Sequence, residues 1–128
     1  MSKLAESMRR SADVEGRLHL FGSGGRQAPA FSGDYRPAHK LHVNYLSSGI
    51  HEYLDVDCVH PGETVRVVVW FITPHVYPGC LWEGREVGVF ESEHLQVGTL
   101  EVMHFHNQIL RGSPDTYKSV WYPPVGLE

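Results

Sequence analysis

The sequence predicts an all-β protein: a six-stranded antiparallel Greek-key barrel with a short N-terminal extension and an irregular C-terminal tail. Three observations predict it. Apolar and polar residues alternate in short runs. No stretch of ten or more residues carries a convincing helical period, and Gly, Pro and polar turn formers part the runs. Residues 1–14 read as a flexible extension, 15–110 as the barrel and 111–128 as the tail.

Taken in order, the extension "MSKLAESMRRSADVEG" places Leu4 and Met8 at i, i+4, enough for one amphipathic turn, and reads as a frayed end. "EGRLHLF" alternates Leu18 and Leu20 against Arg17 and His19. "AHKLHVNYL" sets Leu41, Val43 and Tyr45 against Lys40, His42 and Asn44, and "SSG" after it reads as a turn. "EYLDVDC" alternates most cleanly, with Leu54, Val56 and Cys58 facing the core and Tyr53, Asp55 and Asp57 facing water. "HPGE" suits a tight turn, with Pro61 presetting φ and Gly62 supplying φ > 0. "VGTLEVMHFH" sets Leu100 and Val102 against Thr99 and Glu101.

One run is apolar on both faces. In "ETVRVVVWFIT", Val65, Val67, Val69 and Phe71 share the face that meets Leu54, Val56 and Leu100 in the core, while Val68, Trp70 and Ile72 share the other. Such a strand is covered twice. The second cover is the tail "YKSVWYPP", a second copy of the chain in a homodimer, or an external partner docking on Val68, Trp70 and Ile72.

Composition narrows the function classes. Eleven basic against fifteen acidic residues give a net charge of −4, which argues against holding nucleic acid by bulk charge. The longest apolar run, Val65 to Ile72, is far short of the ~20 residues of a membrane helix. The N-terminus lacks an apolar signal core, so a cytoplasmic protein with no membrane partner is expected. Two cysteines, Cys58 and Cys80, without a Cys-x-x-Cys, read as buried free thiols.

The motifs "GGR" (Gly24–Arg26), "PAFSG" (Pro29–Gly33), "YRP" (Tyr35–Pro37), "VHPGETVRVVVWFITP" (Val59–Pro74) and "QVGTLEV" (Gln96–Val102) together resemble the C-terminal β-barrel, the third domain, of translation elongation factor Tu. The resemblance covers roughly residues 15 to 105, and the chain looks like a short free-standing barrel of that type. In that factor the barrel contacts the acceptor and T stems of tRNA. The resemblance therefore implies Arg26, Gln27 and Thr73 as contact residues and the translation apparatus as the source of a protein or RNA partner. The departures are informative too. No phosphate-binding loop of the G-x-x-x-x-G-K-[S/T] type is present, so no GTP binding is expected. Asp34 is an extra residue, and the family's Arg-Glu-Gly-Gly-Arg loop matches either "FESEHL" (Phe90–Leu95), where acids replace its glycines and arginines, or "EGREVG" (Glu83–Gly88).

The residues themselves offer little chemistry. Nine histidines are present, and His104 and His106 on one strand face could share a metal, but two ligands do not make a site. Solvated strand-face histidines, no metal and no cofactor are the expectation. Asp55 and Asp57 read as a solvated face and not as an acid/base pair. Within the opening motif Arg26 is the candidate contact. Arg36, before Pro37, reads as a strut bonded to carbonyls or to Asp34, with Tyr35 and Phe31 capping the barrel end. The reading that results is a non-enzymatic binding module. A homo-oligomeric assembly protein and a His-based metal-dependent small-molecule enzyme are the rivals.

Overall fold

The computed structural model describes residues 2–42 and 45–120. Its strands are β1 (Val14–Leu20), β2 (Ala30–Phe31), β3 (Ala38–His42), β4 (Tyr45–Tyr53), β5 (Cys58–Val59), β6 (Thr64–Phe71), β7 (Glu86–Ser92) and β8 (Leu95–Phe105), with helices α1 (Lys3–Met8) and α2 (Pro114–Val120) at the ends. Six strands close an antiparallel barrel in the order β1-β6-β4-β3-β7-β8, and β2 pairs with β5 beside it. Consecutive β3, β4 and β6 are neighbours, and β1 returns beside β6, which is Greek-key connectivity. Closure removes the open edges a six-stranded sheet would otherwise present.

The barrel interior is filled by side chains. Leu18, Leu20, Leu41, Val67, Val69, Phe71, Val89, Val97, Leu100 and Val102 are all fully buried. The alternation of β1, β6 and β8 therefore faces the core as the sequence predicts. At "HPGE" Gly62 has φ +92° and Glu63 N–H donates to the His60 carbonyl at 3.0 Å.

Two segments differ from the sequence reading. "AHKLHVNYL" is not one strand: His42 pairs with Tyr45 across a hairpin, and "SSG" lies inside β4. "EYLDVDC" is not a core strand: β4 ends at Tyr53, and Leu54 and Val56 are exposed, 39% and 44%, in a loop. Tyr53 faces inward instead, 6% exposed. An alternating pattern records only that successive residues differ, and here the hydrogen bonds to β6 pin Tyr53 opposite Val67, which is itself buried.

The N-terminus also departs from expectation. Ser2 Oγ accepts from Ala5 N–H at 3.0 Å, capping α1. Ala5, Ala12 and Trp70 form a separate buried cluster with Leu4, Met8 and Val68 packed against it. Trp70 is 2% exposed, and its indole N–H donates to the Arg10 carbonyl at 2.9 Å. The doubly apolar strand is thus covered by the chain's own N-terminal segment. Deleting residues 2–12 should expose Trp70, red-shift its fluorescence and lower stability by roughly 2–4 kcal/mol. A truncated protein with unchanged melting temperature, spectrum and mass would contradict this cover.

The tail is more ordered than predicted. Gln108–Leu110 forms a 3-10 turn, α2 follows, and the Tyr117 ring lies 4.6 Å from the Arg85 guanidinium, which also stacks 4.8 Å from the Trp82 ring. The expected tail cover through Val120, Trp121 and Tyr122 cannot be followed: the last two residues and the side chain of Val120 lie outside the described part.

Candidate functional site

β1 ends at Leu20, and Phe21 N–H donates to the Val97 carbonyl at 2.9 Å before the chain enters the Gly-Gly-Arg turn. Gly24 holds φ +80°, a left-handed geometry that favours glycine. A Cβ on Gly25 would stand 3.1 Å from the Val97 carbonyl oxygen, so the turn lies tight on β8.

That turn sends Arg26 back along the protein surface and not out into solvent. Its Nε donates to the Ala28 carbonyl at 2.7 Å and a terminal nitrogen donates to the Pro29 carbonyl at 3.1 Å. Its other terminal nitrogen pairs with Glu91, and the guanidinium lies 4.8 Å from the Tyr35 ring centroid. Tyr35 Oη–H donates to the same Glu91 carboxylate at 2.6 Å. Partial burial works against the Arg26 charge, but the contacts with Glu91 and Tyr35 outweigh it and raise its pKa. Burial, then the bond to Glu91, pushes the Tyr35 phenol upward.

The strut role suggested for Arg36 falls instead to Arg26. Arg26 is the internal strut. Arg36 is exposed and makes neither the predicted bond to Asp34 nor any ion pair among the described residues. Both line a shallow cleft of about 380 Å³ with Tyr35, Leu46, Phe90 and Glu91. Phe31 caps nothing, being 53% exposed.

Gln27 and Thr73 are exposed, but they do not share a surface. Gln27 lines a recess with Pro61, just before β6, while Thr73 follows β6 at its far end. The eight residues of β6 stand between them, roughly 26 Å at ~3.3 Å per residue. Of the outer triad, Trp70 is closed off by α1, Val68 is half-buried against the same cluster, and only Ile72 is open, 49% exposed.

Inside the barrel stands a pair that sequence spacing did not reveal. His39 and His51 are both fully buried, with their Nε2 atoms 2.8 Å apart. His39 Nδ1 lies 2.9 Å from the Ser47 carbonyl oxygen, which can only accept, so Nδ1 carries the proton. His39 Nε2 then accepts from His51 Nε2–H, and both rings are neutral. Burial lowers the His39 pKa to about 4, and burial together with His39 lowers that of His51 well below the ordinary value. A Cβ on Gly49 would stand 2.9 Å from His39 Cε1, so this glycine makes room for the ring. Phe71 and Tyr35 close over the pair edge-on, at 5.2 and 5.6 Å. His39 and His51 fall in one region of the sequence, but a separation of twelve residues on two adjacent strands carries no local signature that pairs them.

The remaining candidates are on the surface. His104 and His106 are exposed, and no group of three metal-ligating side chains converges among the described residues. Cys58 is half-buried and not core, its Sγ 3.6 Å from His60 Nε2, whereas Cys80 is buried and its thiol is pushed up to about 12. No helix among the described residues is long and apolar enough to cross a membrane.

Fold and site together define a closed Greek-key barrel with a filled interior, stapled at one end by an Arg-Tyr-Glu cluster. No protein-family model matches the chain, and no curated protein matches it by sequence.

Proposed function

We propose that this chain is a non-catalytic binding module, a barrel of the kind found at the C-terminus of elongation factor Tu, whose partner in the translation apparatus is a protein. The observation that carries the reading is the engagement of Arg26. In the resemblance this arginine is the RNA-facing group, but here Glu91, two carbonyls and the Tyr35 ring occupy its donors and its face. Glu91 and Glu93 line the same cleft and repel phosphate. The other two tRNA candidates, Gln27 and Thr73, are uncharged and stand at opposite ends of β6. The barrel interior, packed with Leu, Val and Phe, supports a scaffold whose outside does the work.

The reading predicts no saturable calorimetric binding of GTP with Mg²⁺. It also predicts tRNA binding weaker than about micromolar near 150 mM salt, because few phosphates can be neutralised. A tighter tRNA constant lost on Arg26→Ala, or micromolar GTP binding, would overturn it.

A further inference from the structure

The loop Leu54–Asp57 is the place where the outside of the barrel departs most from an ordinary solvated surface. Leu54 and Val56 are exposed on it, and Phe31, 53% exposed, pairs with Cys58, the residue that follows the loop. The loop is firmly held. Leu54 N–H donates to the Arg66 carbonyl at 3.1 Å, and Ser32 N–H donates to the Asp57 carbonyl at 2.9 Å. Tyr53 N–H donates to Ser32 Oγ at 2.9 Å. The apolar side chains therefore stand in a fixed arrangement and are not the open end of a frayed strand. The other large exposed apolar residues among the described ones, Ile72, Leu95 and Ile109, lie on three separate segments.

The charge around these side chains is predominantly negative. Glu52, Asp55 and Asp57 line the same open recess of about 430 Å³ with Ser32, Leu54 and Val56. Among the described residues Arg66 is the one cation that pairs there, 3.7 Å from Asp55 and shared with Glu15. Glu52 and Asp57 form no ion pair among the described residues.

We infer that this face, Phe31, Leu54 and Val56 rimmed by Glu52, Asp55 and Asp57, docks a protein segment that carries lysine or arginine beside aliphatic residues. The inference rests on the binding-module reading and names the chemistry of its partner. Apolar side chains of the partner cover Leu54, Val56 and Phe31, and its cations meet Glu52 and Asp57 and compete with Arg66 for Asp55. A nucleic-acid backbone is excluded by the same carboxylates. Charge complementarity of this kind sets partner choice and encounter rate more than affinity, while the apolar centre supplies the affinity.

The test pans a random-peptide phage library against the intact chain and titrates the selected peptides, made synthetically, by fluorescence anisotropy. Peptides with basic and aliphatic residues are expected. Leu54→Ser with Val56→Ser should weaken them by roughly tenfold or more. Asp55→Asn with Asp57→Asn should weaken them less and flatten their salt dependence. All four positions are exposed, so melting curves of both variants should match the wild type. Selected peptides whose affinity survives both double substitutions would overturn this face and leave the binding-module reading standing. Failure to select any peptide, or selection of acidic ones, would overturn it too. So would a labelled single-stranded RNA that binds here and is lost with Leu54→Ser and Val56→Ser.

Discussion

Asp13→Ala should lower the stability of the fold by roughly 3–5 kcal/mol, the range in which loss of a buried charged network falls. Asp13 is fully buried, and its carboxylate joins three parts of the chain. It accepts from Arg10 at 2.6 Å, from Phe71 N–H at 2.7 Å and from Asn107 Nδ2 at 2.9 Å. Its backbone carbonyl accepts from His106 and Asn107 N–H at 2.9 and 3.0 Å. Alanine leaves the Phe71 N–H buried without its acceptor, which alone costs about 1–3 kcal/mol. Arg10 also lets go, and Arg10 NH2 is bonded to the Phe71 carbonyl at 2.7 Å, so the cover over Trp70 loosens with it. Urea denaturation followed by tryptophan fluorescence measures the loss. A midpoint within experimental error of the wild type would show that Asp13 is not the knot that ties α1 to β6 and β8. Asp13→Asn should lie between the two, since an amide oxygen can serve only part of the donor set.

Acid should unfold this protein through the buried histidine pair. His39 is neutral in the folded barrel with a pKa of about 4, while in the unfolded chain it titrates near the ordinary 6.5. The unfolded state therefore binds the proton first. The stability that the neutral pair contributes is fully present above about pH 6.5 and is lost as pH falls through 6.5 towards 4. Near pH 5 His39 alone should withdraw about 2 kcal/mol, and His51, shifted in the same direction, should withdraw more. Urea midpoints from pH 7 to 4.5 would show the slope, and the imidazole proton resonances of His39 and His51 should keep neutral-ring shifts throughout. Titration of either ring near pH 6.5 without loss of structure would contradict a sealed neutral pair.

How much was legible follows from where the information lies. β6 could be read correctly because two apolar faces in one short run demand two covers, and Val67, Val69 and Phe71 do fill the barrel while Trp70 is covered from outside. The identity of that cover was less legible. Leu4 and Met8 gave only one helical turn, and the Ser2 cap stabilises a helix that stands through packing on Trp70. "EYLDVDC" misleads because alternation does not say where sheet pairing ends, and here the pairing of β4 with β6 ends at Tyr53. Arg26 reads locally as a free contact and Arg36 as a strut, whereas Arg26 is the one held by side-chain and carbonyl partners. The partner that decides the matter, Glu91, is 65 residues away from Arg26, and no local spacing announces it. The histidine pair was hidden for the same reason, since His39 and His51 meet only once β3 and β4 pair and the barrel closes.

On the proposed reading this barrel binds a protein and not an RNA. This choice of partner is tested most directly by affinity capture of endogenous partners on the intact chain, with the lysate divided into RNase-treated and untreated halves. The same protein partner should be recovered from both halves in equal yield, and its recovery should fall when Leu54 and Val56 are replaced by serine. Recovery only from the untreated half, with that dependence transferred to Arg26 or Arg36, would contradict the account.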